Sequence, residues 1–228
     1  MVATQCCIGK YGVTCKLPVR CHHHTCELRT IRYLEISGTM QLRNSNTRWG
    51  VVSQFLHWLV VLLIVVMAVL GLTMTDLPNG IDKIKTYALH KSIGITVLAL
   101  VLLRLLWRLS AGPAPVAPGP RWQRRMATIT HAGLYALMLA IPLSGWAFNS
   151  AANFALRWFG WLNLPRLVPA DPGLKVLFNT AHEWLFWLLV VVVLVHAGAA
   201  LKHHFVDRDQ VLVRMLPWLH KKKDGHDA

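Results

Sequence analysis

Histidine is the residue type in this sequence with the clearest capacity for chemistry, because imidazole binds metals and transfers protons near neutral pH. His182 and His196 bracket a stretch in which no charged residue occurs from Trp184 to Leu201. On an α-helix, their separation of 14 residues spans about 21 Å and leaves the two side chains within about 40° of each other. We therefore predict two imidazoles on one helix face, at two different depths.

Four long apolar segments must position these imidazoles, in a chain of 228 residues that is 54% hydrophobic. Three of them contain no Asp, Glu, Lys or Arg, and the fourth is interrupted by one lysine: Trp49 to Thr75, Met126 to Leu156, Trp184 to Leu201, and Thr86 to Leu103 around Lys91. A membrane-spanning helix needs about 20 mostly apolar residues. The predicted fold is therefore all-α, a four-transmembrane-helix bundle with helices at roughly 52–74, 84–108, 127–148 and 179–203.

The net charge of +14 comes largely from basic residues beside the ends of these segments. This pattern is typical of cytoplasmic membrane flanks rather than of a nucleic-acid-binding face, and it predicts that both termini are cytoplasmic. The loop between the second and third helices reads as a proline-rich spacer. The loop after the third helix, with Trp158, Phe159 and Trp161, is predicted to hold a short amphipathic helix on the bilayer surface.

The segment 1–39 differs from the rest of the chain, since it holds all five cysteines and shows no helix or strand period. Its cysteines and histidines could form a metal-binding extension, but their spacing matches no regular zinc motif. We favour an over-extended start, with translation beginning at Met40. Three regions are therefore predicted: an unstructured or mis-assigned extension at 1–39, a four-helix domain at 40–217, and a basic cytoplasmic tail at 218–228.

Depth in the membrane sorts four histidines into two pairs. Because successive helices alternate in direction, His90 is expected at the outer level with His182, and His57 at the inner level with His196. Ionisable groups in a bilayer are costly and usually face a partner inside the bundle. Two cross-helix pairs at two heights are typical of two bis-histidine haem sites in a four-helix bundle.

Three further histidines do not fit this pairing. His131 shares the inner level and is interpreted as a group that supports a ligand or belongs to a quinone site, while His203 and His204 are expected at the membrane interface. Small residues near the paired histidines, Gly94 and Ala197 to Ala200, leave room for a flat macrocycle, although close helix packing uses small residues too. Zinc is a weaker alternative, because no level offers four suitable ligands.

The chain resembles the prokaryotic cytochrome b561 family over about residues 45 to 217. The resemblance rests on an ordered set of motifs: Gln54-Phe55-Leu56-His57-Trp58, His90-Lys91-Ser92-Ile93-Gly94, Arg104-Leu105-Leu106-Trp107-Arg108, His131-Ala132-Gly133-Leu134-Tyr135, Pro142-Leu143-Ser144-Gly145-Trp146, His182-Glu183, His196 to His204, and Arg214-Met215. It implies an inner-membrane cytochrome that exchanges electrons with quinone. It also implies two haem b groups, one bound by His57 with His196 and the other by His90 with His182.

The function expected from this resemblance is transfer of single electrons between a periplasmic donor and the quinone pool. Superoxide is a candidate donor, which would make the chain a superoxide:ubiquinone oxidoreductase, and a redox partner protein is a further candidate. Lys91 and Arg104 are candidate contacts for the haem propionates, although either could be an ordinary interface cation. Two alternatives stay open: an anchor subunit of a dehydrogenase or hydrogenase, and a haem-free membrane transporter or metalloprotein. The sequence identifies neither a catalytic side chain nor the quinone site.

Overall fold

The computed structural model describes residues 5–9, 12–16, 42–45, 49–112, 120–209 and 212–216. The chain divides into two compact units, Met1–Met40 and Gln41–Ala228. In the first unit, β1 (Gln5–Gly9) pairs with β2 (Gly12–Lys16) in an antiparallel hairpin, where the sequence predicts no regular element. The proposed basic tail at 218–228 lies outside the described residues, as does most of the extension.

Helices dominate the described part of the second unit. In chain order they are α1 (Val51–Thr73), α2 (Ile81–Ser110), α3 (Arg121–Ala151) and α4 (Pro172–Phe205). Within the described residues, these four helices are long and apolar enough to cross a membrane, judged by length and composition. The prediction of a four-helix membrane bundle is therefore confirmed.

Three of the helices extend well beyond the segments predicted from hydropathy. Helix α4 begins at Pro172 rather than near residue 179, because the Asp171 side chain accepts a hydrogen bond from the Leu174 amide at 2.8 Å and caps the helix. A polar first turn contains too few apolar residues for hydropathy to indicate a helix there. With 34 residues, α4 is about 51 Å long, so it projects beyond a hydrocarbon layer of about 30 Å.

The connection between α3 and α4 contains a β-hairpin, so the amphipathic helix predicted there is wrong. Strand β3 (Leu156–Trp158) pairs with β4 (Leu162–Leu164) in antiparallel register. In the turn, Phe159 and Gly160 take positive φ values of 46° and 79°. Two successive left-handed residues suit a tight hairpin turn and not a helix. Because each strand has only 3 residues, neither is long enough to show an alternating pattern.

Hydrogen bonds dock this hairpin on α2. The Trp158 indole donates to Thr96 Oγ1 at 3.1 Å, and the Phe159 amide donates to Ser92 Oγ at 3.0 Å. Trp161, by contrast, is 92% exposed. Of the aromatic residues in this loop, Trp158 therefore contacts the bundle, whereas Trp161 lies at an exposed tip. We call this end of the bundle the hairpin end.

At the opposite end, the segment that follows α4 is tied to the start of α1. The Trp58 indole donates to the Met215 carbonyl at 2.9 Å, and the Gln54 amide donates to the Arg214 carbonyl at 3.0 Å. Both carbonyls belong to the short 3-10 helix Val213–Met215. The bonds give a physical reason for the glutamine and the tryptophan of the motif Gln54 to Trp58. We call this end the tail end.

Packing among the four helices is uneven. Helix α3 packs along α4, α1 against α2, and α2 against α3, whereas α4 has no comparable packing against α1 or α2. At mid-height, Leu189 of α4 packs in one cluster with buried residues of the other three helices: Val60, Val97, Val101, Leu134, Leu137 and Met138. Leu189 lies midway in sequence between His182 and His196. We call these seven residues the central cluster, and it separates the two histidine depths.

Candidate cofactor site

Histidines of α2 and α4 meet near the hairpin end. The ring centroids of His90 and His182 are 6.3 Å apart, and the ring planes are inclined at 75°. We call this pair the His90 level. Metal–imidazole bonds of about 2 Å, added to the offset of each nitrogen from its ring centre, place two opposed ligands roughly 6 Å apart between centroids. The observed separation therefore fits two imidazoles on either side of one metal atom.

One ring nitrogen of His182 is held by the polypeptide. Its Nδ1 lies 2.9 Å from the Ile141 carbonyl oxygen and 3.1 Å from Ser144 Oγ, and the Ser144 hydroxyl donates to the same carbonyl at 2.8 Å. Because a carbonyl oxygen can only accept, the proton of the neutral imidazole belongs on Nδ1. Nε2 then carries the available lone pair, which is the usual arrangement in a metal-binding histidine.

Two glycines leave room for the rings of the His90 level. A Cβ atom at Gly145 of α3 would lie 3.1 Å from Cε1 and 3.2 Å from Nδ1 of His182. A Cβ atom at Gly71 of α1 would lie 3.3 Å from Cε1 of His90. Both approaches are tighter than side chains normally make, so each ring can take its position because the facing residue has no side chain.

The small residues singled out in the sequence have other surroundings. A Cβ atom at Gly94 would lie 3.4 Å from Cε of Met67, which is ordinary helix-to-helix contact. A Cβ atom at Gly198 would have no neighbour within 4 Å. The space beside His90 and His182 is thus provided by helices that face the ligands rather than by the residues that follow them in sequence.

Three histidines meet nearer the tail end, and we call His57, His131 and His196 the His57 level. The rings of His131 and His196 are 5.2 Å apart, closer than the pair at the His90 level. His57 interacts electrostatically with both of them, and its ring contacts that of Trp58 at 5.4 Å. The structure therefore brings together all the imidazoles that the sequence assigns to this depth, including the extra one.

At each level, a histidine of α4 lies near a histidine of another helix. The His182 ring faces that of His90 of α2. The His196 ring lies against that of His131 of α3 and within electrostatic reach of His57 of α1. Nδ1 of His57 and Nδ1 of His90 are buried without a hydrogen-bond partner among the described residues. Buried polar atoms without a partner are rare and need an explanation. A haem bound between the helices would account for the facing imidazoles.

Cationic side chains stand beside both levels. The Lys91 ammonium lies 5.2 Å from the centre of the Phe154 ring, and the Arg104 guanidinium lies 5.6 Å from the centre of the Tyr135 ring. Arg104 also interacts electrostatically with His57. Within the described part of the chain, neither cation forms an ion pair with a carboxylate. Both charges are therefore available to a bound anion.

The histidines at the end of α4 have partners of a different kind. His203 Nδ1 lies 2.8 Å from an Asp209 carboxylate oxygen, and the Lys202 ammonium lies 2.9 Å from an Asp207 carboxylate oxygen. The His204 ring contacts that of Phe205 at 4.9 Å. These residues form a polar end to α4. The interfacial position of His203 and His204 stays a prediction.

Four groups that surround the His90 level have no counterpart among the residues predicted from sequence: Ser144, Gly145, Gly71 and the Ile141 carbonyl. The first two belong to the motif Pro142 to Trp146, so a signal was present without an assigned role. Their role depends on which face of α3 meets α4, and a backbone carbonyl has no residue-specific signal. The sequence therefore indicates that this segment is part of the family motif, but it does not indicate that the segment contacts His182.

The model of the prokaryotic cytochrome b561 family matches residues 48–218. Cytochrome b561 homolog 2 of Escherichia coli (strain K12) is 39% identical over 181 residues, which cover 78% of this chain and 95% of that protein. Cytochrome b561 homolog 1 of the same organism is 31% identical over 168 residues, with 72% and 93% covered. A Yersinia pestis protein named Probable superoxide oxidase CybB is 30% identical over 165 residues, with 71% and 92% covered. With four helices that can span a membrane and histidines that face each other between them, this multi-pass membrane protein belongs to the prokaryotic cytochrome b561 family of haem b electron-transfer proteins.

Proposed function

We propose that the chain binds two haem b groups and passes single electrons between a donor and the quinone pool. One haem is held by His90 and His182, and the other by His57 and His196. The observation that carries this proposal is that the two histidines of α4 meet histidines of other helices at two depths, His182 with His90 and His196 with His131 and His57. The 6.3 Å separation of the His90 and His182 rings supports opposed ligands rather than a contact pair.

Haem supplies a one-electron couple whose properties depend on its axial ligands and surroundings. The paired histidines would hold each haem between two imidazoles, and a haem held in this way would support electron transfer rather than oxygen binding. The central cluster places buried apolar side chains between the two levels. Lys91 at the His90 level and Arg104 at the His57 level provide positive charge for the propionates.

We infer an inner-membrane location with the hairpin end facing the periplasm, because the basic flanks favour the cytoplasm for the tail end. Superoxide is the proposed donor at the hairpin end. One relative is named a probable superoxide oxidase, and lysines near this end would attract an anion. Lys91 directly follows His90 in the sequence, so it is the lysine whose substitution tests this attraction at the His90 level.

Absorption spectroscopy with haem quantification tests the proposal. The purified protein should show a Soret band and two haems per chain, and His57→Ala and His90→Ala should each keep one haem. His204→Ala is the control and should keep both. A colourless protein would end the proposal and favour a haem-free transporter. Co-purification of a catalytic subunit would instead favour an anchor for a dehydrogenase or hydrogenase.

Superoxide-driven reduction of quinone by the protein in detergent tests the donor. The wild type should reduce quinone faster than the uncatalysed mixture, and Lys91→Ala should be slower because the attraction of the anion is weakened. Lys202→Ala provides a control for loss of one lysine at the opposite, tail end, where Lys202 pairs with Asp207. Equal rates in Lys91→Ala and the wild type would remove Lys91 from the donor site, and no rate above background would remove superoxide.

A further inference from the structure

The four proposed ligands do not have equivalent surroundings. His182 Nδ1 is bonded to the Ile141 carbonyl at 2.9 Å and lies 3.1 Å from Ser144 Oγ. Nδ1 of His57 and Nδ1 of His90 have no hydrogen-bond partner among the described residues. Hydrogen bonds from the polypeptide therefore change the electron density of the His182 ring. Nδ1 of His57 has no such bond among the described residues.

Ser144 is built into this arrangement rather than placed beside it by chance. Its side chain is buried, with 8% of the residue exposed, and its hydroxyl donates to the Ile141 carbonyl three residues earlier at 2.8 Å. Such back-bonding fixes the rotamer of a helical serine. The oxygen then presents its lone pairs to His182 Nδ1–H, which can share its proton between Ser144 and Ile141.

Acceptors at Nδ1–H change how an imidazole binds iron. They make the ring more basic, so that Nε2 donates more electron density to the metal. Greater donation stabilises the ferric state relative to the ferrous state, because the ferric ion carries the higher charge. The reduction potential of a haem with such a ligand is therefore lower.

We propose that Ser144 is a positioning residue that, with the Ile141 carbonyl, fixes the His182 ring and lowers the reduction potential at the His90 level below that at the His57 level. This inference rests on the proposed function. It makes transfer of one electron from the His90 level to the His57 level favourable, with one iron oxidised, the other reduced and no proton required. The hydrogen bonds thus give the electron path a direction, away from the hairpin end.

Redox titration of the purified holoprotein, followed by absorbance, tests the proposal. In Ser144→Ala, one midpoint potential should rise and the other should stay unchanged, with two haems retained. The expected rise corresponds to about tenfold in the ratio of oxidised to reduced haem, or ~59 mV for one electron. Ser144→Thr keeps a hydroxyl and should restore the wild-type value. In a His57→Ala background, which keeps only the His90-level haem, Ser144→Ala should shift the single remaining potential.

Ser150→Ala is the matched control. Ser150 is also a buried serine of α3, 2% exposed, and its hydroxyl donates to the Trp146 carbonyl at 2.9 Å rather than meeting a histidine. It should leave both potentials unchanged. Loss of haem from the His90 level in Ser144→Ala, with recovery in Ser144→Thr, would also support positioning of His182. Unchanged potentials in a two-haem Ser144→Ala protein, or an equal shift in Ser150→Ala, would overturn the inference. A colourless wild type would defeat the proposed function itself.

Discussion

The His90 level and the His57 level use the same residue type in the same bundle, yet they hold it differently. At the His90 level, His182 is bonded to Ile141 and approached by Ser144, and a glycine faces each ring. At the His57 level, three imidazoles share the space, and His131 lies against His196 at 5.2 Å. At one level, two imidazoles are closely surrounded by other helices, whereas the other level contains three imidazoles and the charge of Arg104.

The two ends of the bundle differ in a related way. At the hairpin end, Trp158 bonds to a side chain of α2, Thr96. At the tail end, Trp58 bonds to a backbone carbonyl of the segment after α4 and also contacts the His57 ring. The tail segment is therefore connected to the His57 level through one indole. The hairpin is attached to α2 through the bond from Trp158 to Thr96, one turn after Ser92. Among the described residues, the Trp158 ring does not contact the ring of a proposed ligand.

The largest expected effect is at Gly145, where a side chain would displace a ligand. In Gly145→Val, the added methyl groups would collide with His182, since even a Cβ atom would lie 3.1 Å from its ring. We expect loss of the His90-level haem and retention of the other, measured as haem per chain. Gly133→Val on the same helix is the control, because a Cβ atom there has no neighbour within 4 Å. Two haems in Gly145→Val would show that the His90 level is not fitted as described.

The next effect concerns the cluster between the levels. Leu189→Ala leaves a cavity in the central cluster, and we expect it to lower the free energy of unfolding by about 2 kcal/mol, the low end for such a change. The low end applies because lipid is as apolar as the protein core. Transfer of the leucine side chain out of the core then contributes little, and the cavity accounts for most of the lost stability. Thermal unfolding in detergent measures it. Leu188→Ala, a position 50% exposed and facing lipid, should change stability little; equal losses would mean that Leu189 is not central.

Smaller effects should distinguish the two tryptophans. Trp158→Phe and Trp58→Phe each remove one hydrogen bond, worth about 1 kcal/mol, and should lower the unfolding temperature by roughly 2–4 °C. Only Trp58→Phe should also alter the low-temperature EPR signal of a haem, because Trp58 contacts the His57 ring at 5.4 Å. A matching EPR change in Trp158→Phe would contradict the difference drawn between the ends.

The smallest change in cofactor content is expected at His131. If His57 and His196 are the ligands, His131→Ala should keep two haems per chain, whereas His196→Ala should keep one. Haem quantification on both variants decides between them. Loss of a haem in His131→Ala would identify His131 as a haem ligand. The pair proposed for the His57 level, His57 and His196, would then be wrong.

The sequence predicts this molecule best where one property repeats along the chain. Charge-free runs locate the helices, and alternating helix direction places His90 with His182. Features that need two elements to meet are not predictable in this way. The Ile141 carbonyl becomes an acceptor for His182 only because α3 packs along α4, and the turn at Phe159 takes a positive φ of 46° that a non-glycine residue rarely adopts. The assignment of ligands remains a prediction from sequence that the geometry supports.

The central cluster also bears on how independent the two levels are. Leu189 and six residues of α1, α2 and α3 pack together at mid-height through side chains of the chain itself, so this contact needs no cofactor to complete it. A variant that loses the haem proposed for one level should therefore keep the packing that separates it from the other level.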